Sequence, residues 1–164
     1  MATENSVNKA TILVIDDEED HAQVMCEALT RQGHKCDVTY SLAEALGKLD
    51  RRAYDVVVTD LVMDGRRDGL ELLKKVKGLE PPPPVILVTA HGDIRTAVQA
   101  MDQGAYSFIE KPLDLEHFRA QVSRGIERSQ LQYWSSTIDF LYEWTDGNVY
   151  IRQQRSLEQR HDRF

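Results

Sequence analysis

The 164-residue chain is short of several things, and each shortage excludes something. It has two cysteines, Cys26 and Cys36, and they do not form a CxxC pair, so neither a zinc knuckle nor a dithiol redox site is indicated. In a reducing compartment both read as small apolar residues. No apolar run approaches the ~20 residues needed to span a bilayer. The first nine residues, Met1 to Lys9, are polar and lack the apolar core of a secretion signal. A cytoplasmic location with no membrane contact is the expectation. A basic balance is also lacking: 27 acidic residues against 20 Lys and Arg give a formal net charge of −7, and no Lys/Arg run stands out, so the chain is not expected to bind nucleic acid directly. There is no GxxxxGK[ST] loop to cradle a nucleotide. Hydrophobic residues make up 41%, enough for a packed core and too many for a disordered chain.

What is present is an alternation. Thr11–Ile15 is a short, nearly unbroken apolar run, the pattern of a strand buried on both faces of a parallel sheet. A helical pattern follows with Ala22, Met25 and Leu29 on one side and Gly33 as the stop. Cys36–Tyr40 reads as a second strand. Ser41-Leu-Ala-Glu44 is a capping box that starts a helix to about Asp50, with Leu42, Ala45, Leu46 and Leu49 inward. Asp55–Thr59 is a third strand ending at Asp60. A loop, Val62 to Gly69, leads to a helix bearing Leu72, Leu73 and Val76. The run Pro81 to Pro84 forbids helix and delivers an extended chain to Val85–Thr89, the fourth strand. Asp93 is placed to cap a helix with Ile94, Ala97, Val98 and Met101 inside, closed by Gly104. Tyr106–Ile109 is the fifth strand. Asp114 caps a last helix with Leu115, Phe118, Val122 and Ile126 at helical spacing.

Five strands alternating with five helices, joined by right-handed crossovers, give a parallel sheet covered on both faces. Ligands of such sheets bind outside the carboxyl ends of the strands, at the switch point. The unusual residues fall at those ends. Asp16 and Asp17 end strand one, Asp60 strand three, Thr89 strand four and Lys111 strand five.

Three carboxylates brought together repel. At ~4 Å and an effective dielectric of ~20, each pair costs ~4 kcal/mol, so the cluster calls for a hard cation. Oxygen ligands with water suit Mg²⁺. Lys111 would add a second positive charge and Thr89 a hydroxyl donor toward a phosphoryl oxygen. Without a phosphate loop, the phosphoryl group is more naturally held covalently, with an aspartate as nucleophile. Asp60, alone at its strand end and facing the pair, is the choice. Singly, each residue has a plainer reading. Asp16 and Asp17 mark a helix start, Asp60 a turn, Lys111 a solvated charge and Phe108 a core aromatic. The joint pattern tips the balance.

Those residues resemble a known family. Ile-Asp16-Asp17-Glu, Thr-Asp60-Leu-Val-Met, Val-Thr89-Ala-His-Gly and Phe-Ile-Glu-Lys111-Pro112 are similar, in order and spacing, to the response-regulator receiver domain of two-component signalling. The likeness covers roughly residues 10–129. The stretches Ala90–Val98 and Gly104–Pro112 are especially similar to receivers of nitrogen-regulatory enhancer-binding activators. The resemblance implies a flavodoxin-like (βα)5 fold, an α/β doubly wound sheet of strand order 2-1-3-4-5. It implies Asp60 as phosphoacceptor and a Mg²⁺ ion on Asp17, Asp60 and the backbone carbonyl of Val62, with Asp16 helping indirectly. It further implies Lys111 on the phosphoryl group, a cis bond before Pro112, and Thr89 with Phe108 as the switching pair.

A histidine kinase or phosphotransfer protein would be the donor. A downstream effector would read the surface formed by the fourth helix, fifth strand and fifth helix. The chain would not be an enzyme beyond its own phosphorylation and slow dephosphorylation. The alternative is a receiver-like structural module that does not use phosphate. An aspartyl-intermediate phosphatase wants a second acid two residues after the nucleophile, where this chain has Val62.

Two departures stand out. Asp64 occupies a place where the family usually carries proline, and Arg66-Arg67 lengthens the loop before Gly69. Residues 130–164 lie outside the receiver pattern. Trp134, Ile138, Leu141 and Thr145 fit a helical stripe, while Phe140–Trp144, Asp146-Gly147 and Val149–Ile151 fit a hairpin. The segment is too short for an output domain of ordinary size. Docking on the receiver, homodimer formation or partner binding are the roles open to it.

Overall fold

The computed structural model describes residues 9–90, 94–145 and 148–151, with side chains described through residue 135. The proposed cap at Asp93 and the turn Asp146-Gly147 lie outside the described residues.

Five strands, β1 (Thr11–Ile15), β2 (Lys35–Thr39), β3 (Val56–Asp60), β4 (Val85–Thr89) and β5 (Ser107–Glu110), form one sheet in the order β2-β1-β3-β4-β5. All four pairings are parallel. Five helices alternate with them: α1 (Glu19–Thr30), α2 (Leu42–Arg51), α3 (Asp68–Val76), α4 (Ile94–Asp102) and α5 (Leu115–Leu141). This is the expected flavodoxin-like architecture. β1 and β4 have the expected bounds, and the other three strands differ by one residue at each end.

The central strands read as unbroken apolar runs because both faces are covered. Side chains alternate between two cores. Ile12, Val14, Val56, Val58, Ile86 and Val88 meet Ala22, Met25 and Leu29 of α1 and Phe118, Val122 and Ile126 of α5. Leu13, Ile15, Val57 and Leu87 turn the other way, toward Ala45, Leu72, Leu73, Val76 and Ala100 from α2, α3 and α4. Ser41 Oγ accepts from the Glu44 amide at 3.2 Å as a capping residue should. Glu44 does not reach back to the Ser41 amide; its Oε2 accepts from Tyr40 N at 3.2 Å, one residue earlier. Asp114 Oδ1 caps α5 through the amides of Glu116 (2.9 Å) and His117 (3.2 Å).

One expectation is overturned. α4 was expected to bury Ile94, Val98 and Met101, but they are 82%, 54% and 48% exposed, and Ala97 is half-buried. Thr96 and Ala100 are buried instead. Two residues along a helix is a rotation of about 200°, so the inward face is nearly opposite the apolar stripe. Small residues at the contact let the helix backbone lie close to its neighbours, and the larger apolar side chains face outward.

The chain divides into two compact units, 1–129 and 130–164. In the second, helix continues to Leu141, and an antiparallel pair follows, β6 (Tyr142–Thr145) with β7 (Asn148–Ile151), Thr145 standing opposite Asn148. The helix takes in Trp134, Ile138 and Leu141 of the helical stripe but not Thr145, which lies in β6; Phe140, read as part of the hairpin, lies in the helix, and Tyr142–Trp144 and Val149–Ile151 lie in the paired strands. Cys26 and Cys36 are free and half-buried, the Cys26 thiol lying 3.8 Å from the Cys36 carbonyl.

Candidate functional site

The strand order puts the chain's reversal of direction between β1 and β3. From β1 it steps outward to β2, then returns past β1 to β3, β4 and β5. A gap opens beyond the strand ends at such a point, because the two flanking loops leave toward opposite faces. Ile15 is paired with Thr59, so the next residues, Asp16 and Asp60, emerge side by side. Thr89 pairs with Glu110, and the Lys111 amide donates to the Thr89 carbonyl at 2.8 Å, which brings β5's last turn over the same edge.

Asp16, Asp17 and Asp60 each offer a carboxylate oxygen, and these lie within 4.8 Å of one another. Asp16 is fully buried, Asp60 nearly so and Asp17 half-exposed. Lys111 Nζ donates to Asp16 Oδ2 at 2.8 Å and to Asp60 Oδ2 at 3.0 Å, with 9% of its side chain exposed. The other oxygens are held by backbone. Asp16 Oδ1 accepts from the Glu18 amide at 2.9 Å, Asp60 Oδ1 from the Val62 amide at 3.1 Å, and Asp17 Oδ2 from the Asp64 amide at 3.0 Å.

Burial raises the Asp60 carboxyl above the ordinary aspartate value, against the opposing pull of Lys111 and of the Val62 amide. Burial acts downward on the Lys111 ammonium, but hydrogen bonds to Asp16 and Asp60 outweigh it and leave it above the ordinary lysine value. The pocket therefore holds an anionic carboxylate that is poorly solvated and a firmly charged lysine beside it.

The loop after Asp60 is built for this edge. Met63 and Arg66 exchange backbone hydrogen bonds at 2.9 Å each, and between them Asp64 and Gly65 both take positive φ, +48° and +71°. That is the signature of a type I′ turn, for which Asp-Gly is a favoured dipeptide. The extra length at Arg66-Arg67 is thus taken up by an ordered turn whose Asp64 amide steadies Asp17. Asp64 itself is exposed, a loop-surface acid. Gly69 packs on the backbone at Asp60: a Cβ there would run into the Asp60 carbonyl oxygen and come within 2.8 Å of Leu61 Cα.

Of the other expected residues, Thr89 is buried at the end of β4 and Phe108 is half-buried on β5, against the α2–α3–α4 core. The Lys111–Pro112 peptide is cis, as is Glu80–Pro81. His21 was not anticipated. Its Nδ1 lies 3.0 Å from Lys111 Nζ and 3.3 Å from Glu18 Oε2. No motif marks it; only its place one turn into the helix that follows the paired aspartates could have suggested it.

Residues 12–123 match the family model described as the response regulator receiver domain. The chain belongs to the response regulator receiver family. This receiver is 40% identical over 119 residues to the DNA-binding transcriptional regulator NtrC of Klebsiella pneumoniae, covering 73% of this chain and 25% of that protein. It is 34% identical over 122 residues to the nitrogen assimilation regulatory protein NtrX of Azorhizobium caulinodans, covering 74% and 27%. The crystal structure of the receiver domain of NtrX from Brucella abortus superposes with a TM-score of 0.66 at 38% identity, covering 71% of this chain and 98% of that one. The likeness to nitrogen-regulatory proteins read from the sequence is borne out. The chain spans about a quarter of the length of the curated relatives it matches, 25% of the NtrC of Klebsiella pneumoniae and 27% of that of Escherichia coli K12. As a receiver of the two-component type it belongs among phosphorylation-dependent switches. Among the described residues, no helix is long and apolar enough to cross a membrane.

Proposed function

We propose that this receiver accepts a phosphoryl group on Asp60 from a histidine kinase or phosphotransfer protein and relays the change to a downstream effector from the cytoplasm. The observation that carries the reading is the meeting of three carboxylates within 4.8 Å with the Lys111 ammonium 3.0 Å from Asp60. An all-oxygen donor set of this kind, part-buried and negatively charged, fits Mg²⁺. Asp17, Asp60 and the Val62 carbonyl would hold the ion, with Asp16 acting indirectly. When bound, it neutralises charge on the phosphoryl oxygens and on the acceptor.

The residues of the chain do the rest. Asp60 is the nucleophile: its Oδ forms a bond to phosphorus as the bond to the donor's imidazole nitrogen breaks, and the electron pair leaves with that nitrogen. The product is an acyl phosphate. Lys111, already on Asp60, is placed to follow the charge onto the new phosphoryl oxygens. Asp16 keeps the ammonium from leaving the pocket. Thr89 supplies a hydroxyl to the phosphoryl group from the neighbouring strand end.

Phosphorylation adds about −1.5 to −2 charges and three acceptor oxygens. Drawing Thr89 and Lys111 toward them frees space that Phe108 fills, and the α4–β5–α5 face changes shape. The outward apolar residues Ile94, Val98 and Met101 of α4 support a partner-binding role for that face, since single exposed apolar side chains are ordinary but a stripe of them is not.

The test is incubation with acetyl phosphate and Mg²⁺, read by intact mass. Wild type should gain one phosphoryl group and Asp60→Ala none. A wild-type chain that gains nothing would leave only the reading of a structural module.

A further inference from the structure

A lysine ammonium has three N–H donors, and three acceptors surround that of Lys111. Two are Asp16 and Asp60. The third is Nδ1 of His21, at 3.0 Å, from the first turn of α1. Its side chain is 44% exposed, and it lies outside the motif residues. Because the ammonium offers only protons, the nitrogen facing it must present its lone pair. A hydrogen bond from Lys111 therefore requires the tautomer with its proton on Nε2.

The same Nδ1 lies 3.3 Å from Glu18 Oε2. A carboxylate offers only lone pairs, so the two contacts cannot both be hydrogen bonds. Nδ1 either accepts from Lys111 or carries a proton and donates to Glu18. Asp16 Oδ2, at 4.0 Å from Nδ1, is beyond hydrogen-bond distance and already bonded to Lys111. The ring therefore stands between two partners of opposite demand.

We propose that His21 is a two-position latch on Lys111: it holds the ammonium in the resting pocket and turns to Glu18 when Lys111 follows a phosphoryl group on Asp60. This rests on the proposed function and deepens it. His21 touches no phosphoryl group; it is a positioning residue that acts through Lys111. The change of partner exchanges one tautomer for the other. Water takes the proton from Nε2 and delivers one to Nδ1, with no net change of charge, and the half-exposed ring is open to that exchange.

A latch that favours the resting pocket has a definite sign. Replacing His21 with leucine removes the acceptor and makes phosphorylation easier. One neutral hydrogen bond corresponds to roughly a threefold to tenfold effect. Asparagine carries an amide oxygen close to the place of Nδ1 and keeps the latch.

The experiment uses the full chain with Mg²⁺ and acetyl phosphate over a concentration series, read by intact mass. His21→Leu should reach half-labelling at about threefold to tenfold less acetyl phosphate than wild type, and His21→Asn within about twofold of wild type. In parallel, long-range ¹H–¹⁵N spectra of the wild-type ring should show the Nε2–H tautomer at rest. They should shift toward Nδ1–H when Mg²⁺ and fluoroberyllate, a phosphoryl mimic, are added. A resting ring that carries its proton on Nδ1 overturns the latch, whatever the variants do. So does a leucine variant that labels no more readily than wild type, or an asparagine variant that behaves like leucine. A wild-type chain that takes no phosphoryl group removes the proposed function and the latch together. Labelling of wild type with leucine and asparagine alike removes the latch alone.

Discussion

Lys111 Nζ sits 3.0 Å from Asp60 Oδ2 although the two residues are 51 positions apart, and both side chains are more than nine-tenths hidden from solvent. The same ammonium also neutralises Asp16, which is fully buried. Removing one partner of a buried ion pair leaves an uncompensated charge, at a cost of about 3–5 kcal/mol. Lys111→Met should therefore lower stability in metal-free buffer by an amount in that range. It should also push the Asp60 carboxyl further up, because burial then acts without its chief opponent. Urea melts and carboxyl ¹³C titration check the two effects.

Asp60 itself is expected to work against stability. Its carboxyl is raised by burial, so between the ordinary aspartate value and the raised one the folded chain keeps a proton that the unfolded chain has lost. Stability falls as pH rises through that window, since the folded state there binds more protons. Asp60→Asn abolishes the titration. The variant should match wild type in acid and exceed it at neutral pH, a site residue exchanged for stability. Lys111 has the opposite profile: its share of stability is complete below the ordinary lysine value and is lost as pH climbs through the raised one. Denaturant melts over a pH series separate the two.

Mg²⁺ should raise the melting temperature of the wild-type chain. A ligand at 100 times its dissociation constant adds about 2.7 kcal/mol. Asp17→Asn should remove most of that gain while leaving the metal-free melt nearly unchanged, because Asp17 is only half-buried and makes no contact with Lys111. Thermal melts with and without the ion, using EDTA as the blank, read this directly.

Gly69 should tolerate no side chain. A Cβ would meet the Asp60 carbonyl and Leu61 Cα, both backbone atoms that cannot swing aside. Gly69→Ala is expected to cost about 3 kcal/mol, at the upper end for overpacking, and to slow phosphorylation by moving Asp60. By contrast, Ile94→Ala should change stability by no more than about 0.5 kcal/mol, since the side chain is 82% exposed. Leu72→Ala, fully buried, should cost about 2–5 kcal/mol. Equilibrium unfolding of the three variants compares them.

The contrast between Ile94 and Leu72 shows where the sequence could and could not be read. Strands such as Val85–Thr89 were legible because a short apolar run that follows four prolines admits little else. The acidic pocket was legible because sheet register forces Asp16 and Asp60 together once the strands are identified. The inward face of α4 was not, because periodicity identifies an apolar stripe without saying whether this chain or a partner covers it. The capping box was half legible: Ser41 behaved as its type dictates, but Glu44 had two backbone amides within reach and took that of Tyr40. The second unit carried two overlapping patterns, and the helix gives way to strand within the overlap, between Leu141 and Tyr142. His21 was invisible for a different reason. Its role depends on a lysine 90 residues away, and nothing local to α1 signals that contact.

The most direct measurement is to locate the acyl phosphate. Wild-type chain treated with acetyl phosphate and Mg²⁺, then reduced with borohydride, should yield homoserine at position 60 and nowhere else, and the yield should vanish in EDTA. Homoserine at Asp16 or Asp17, or a yield indifferent to the metal, would contradict the account of a single acidic pocket with Asp60 as its acceptor.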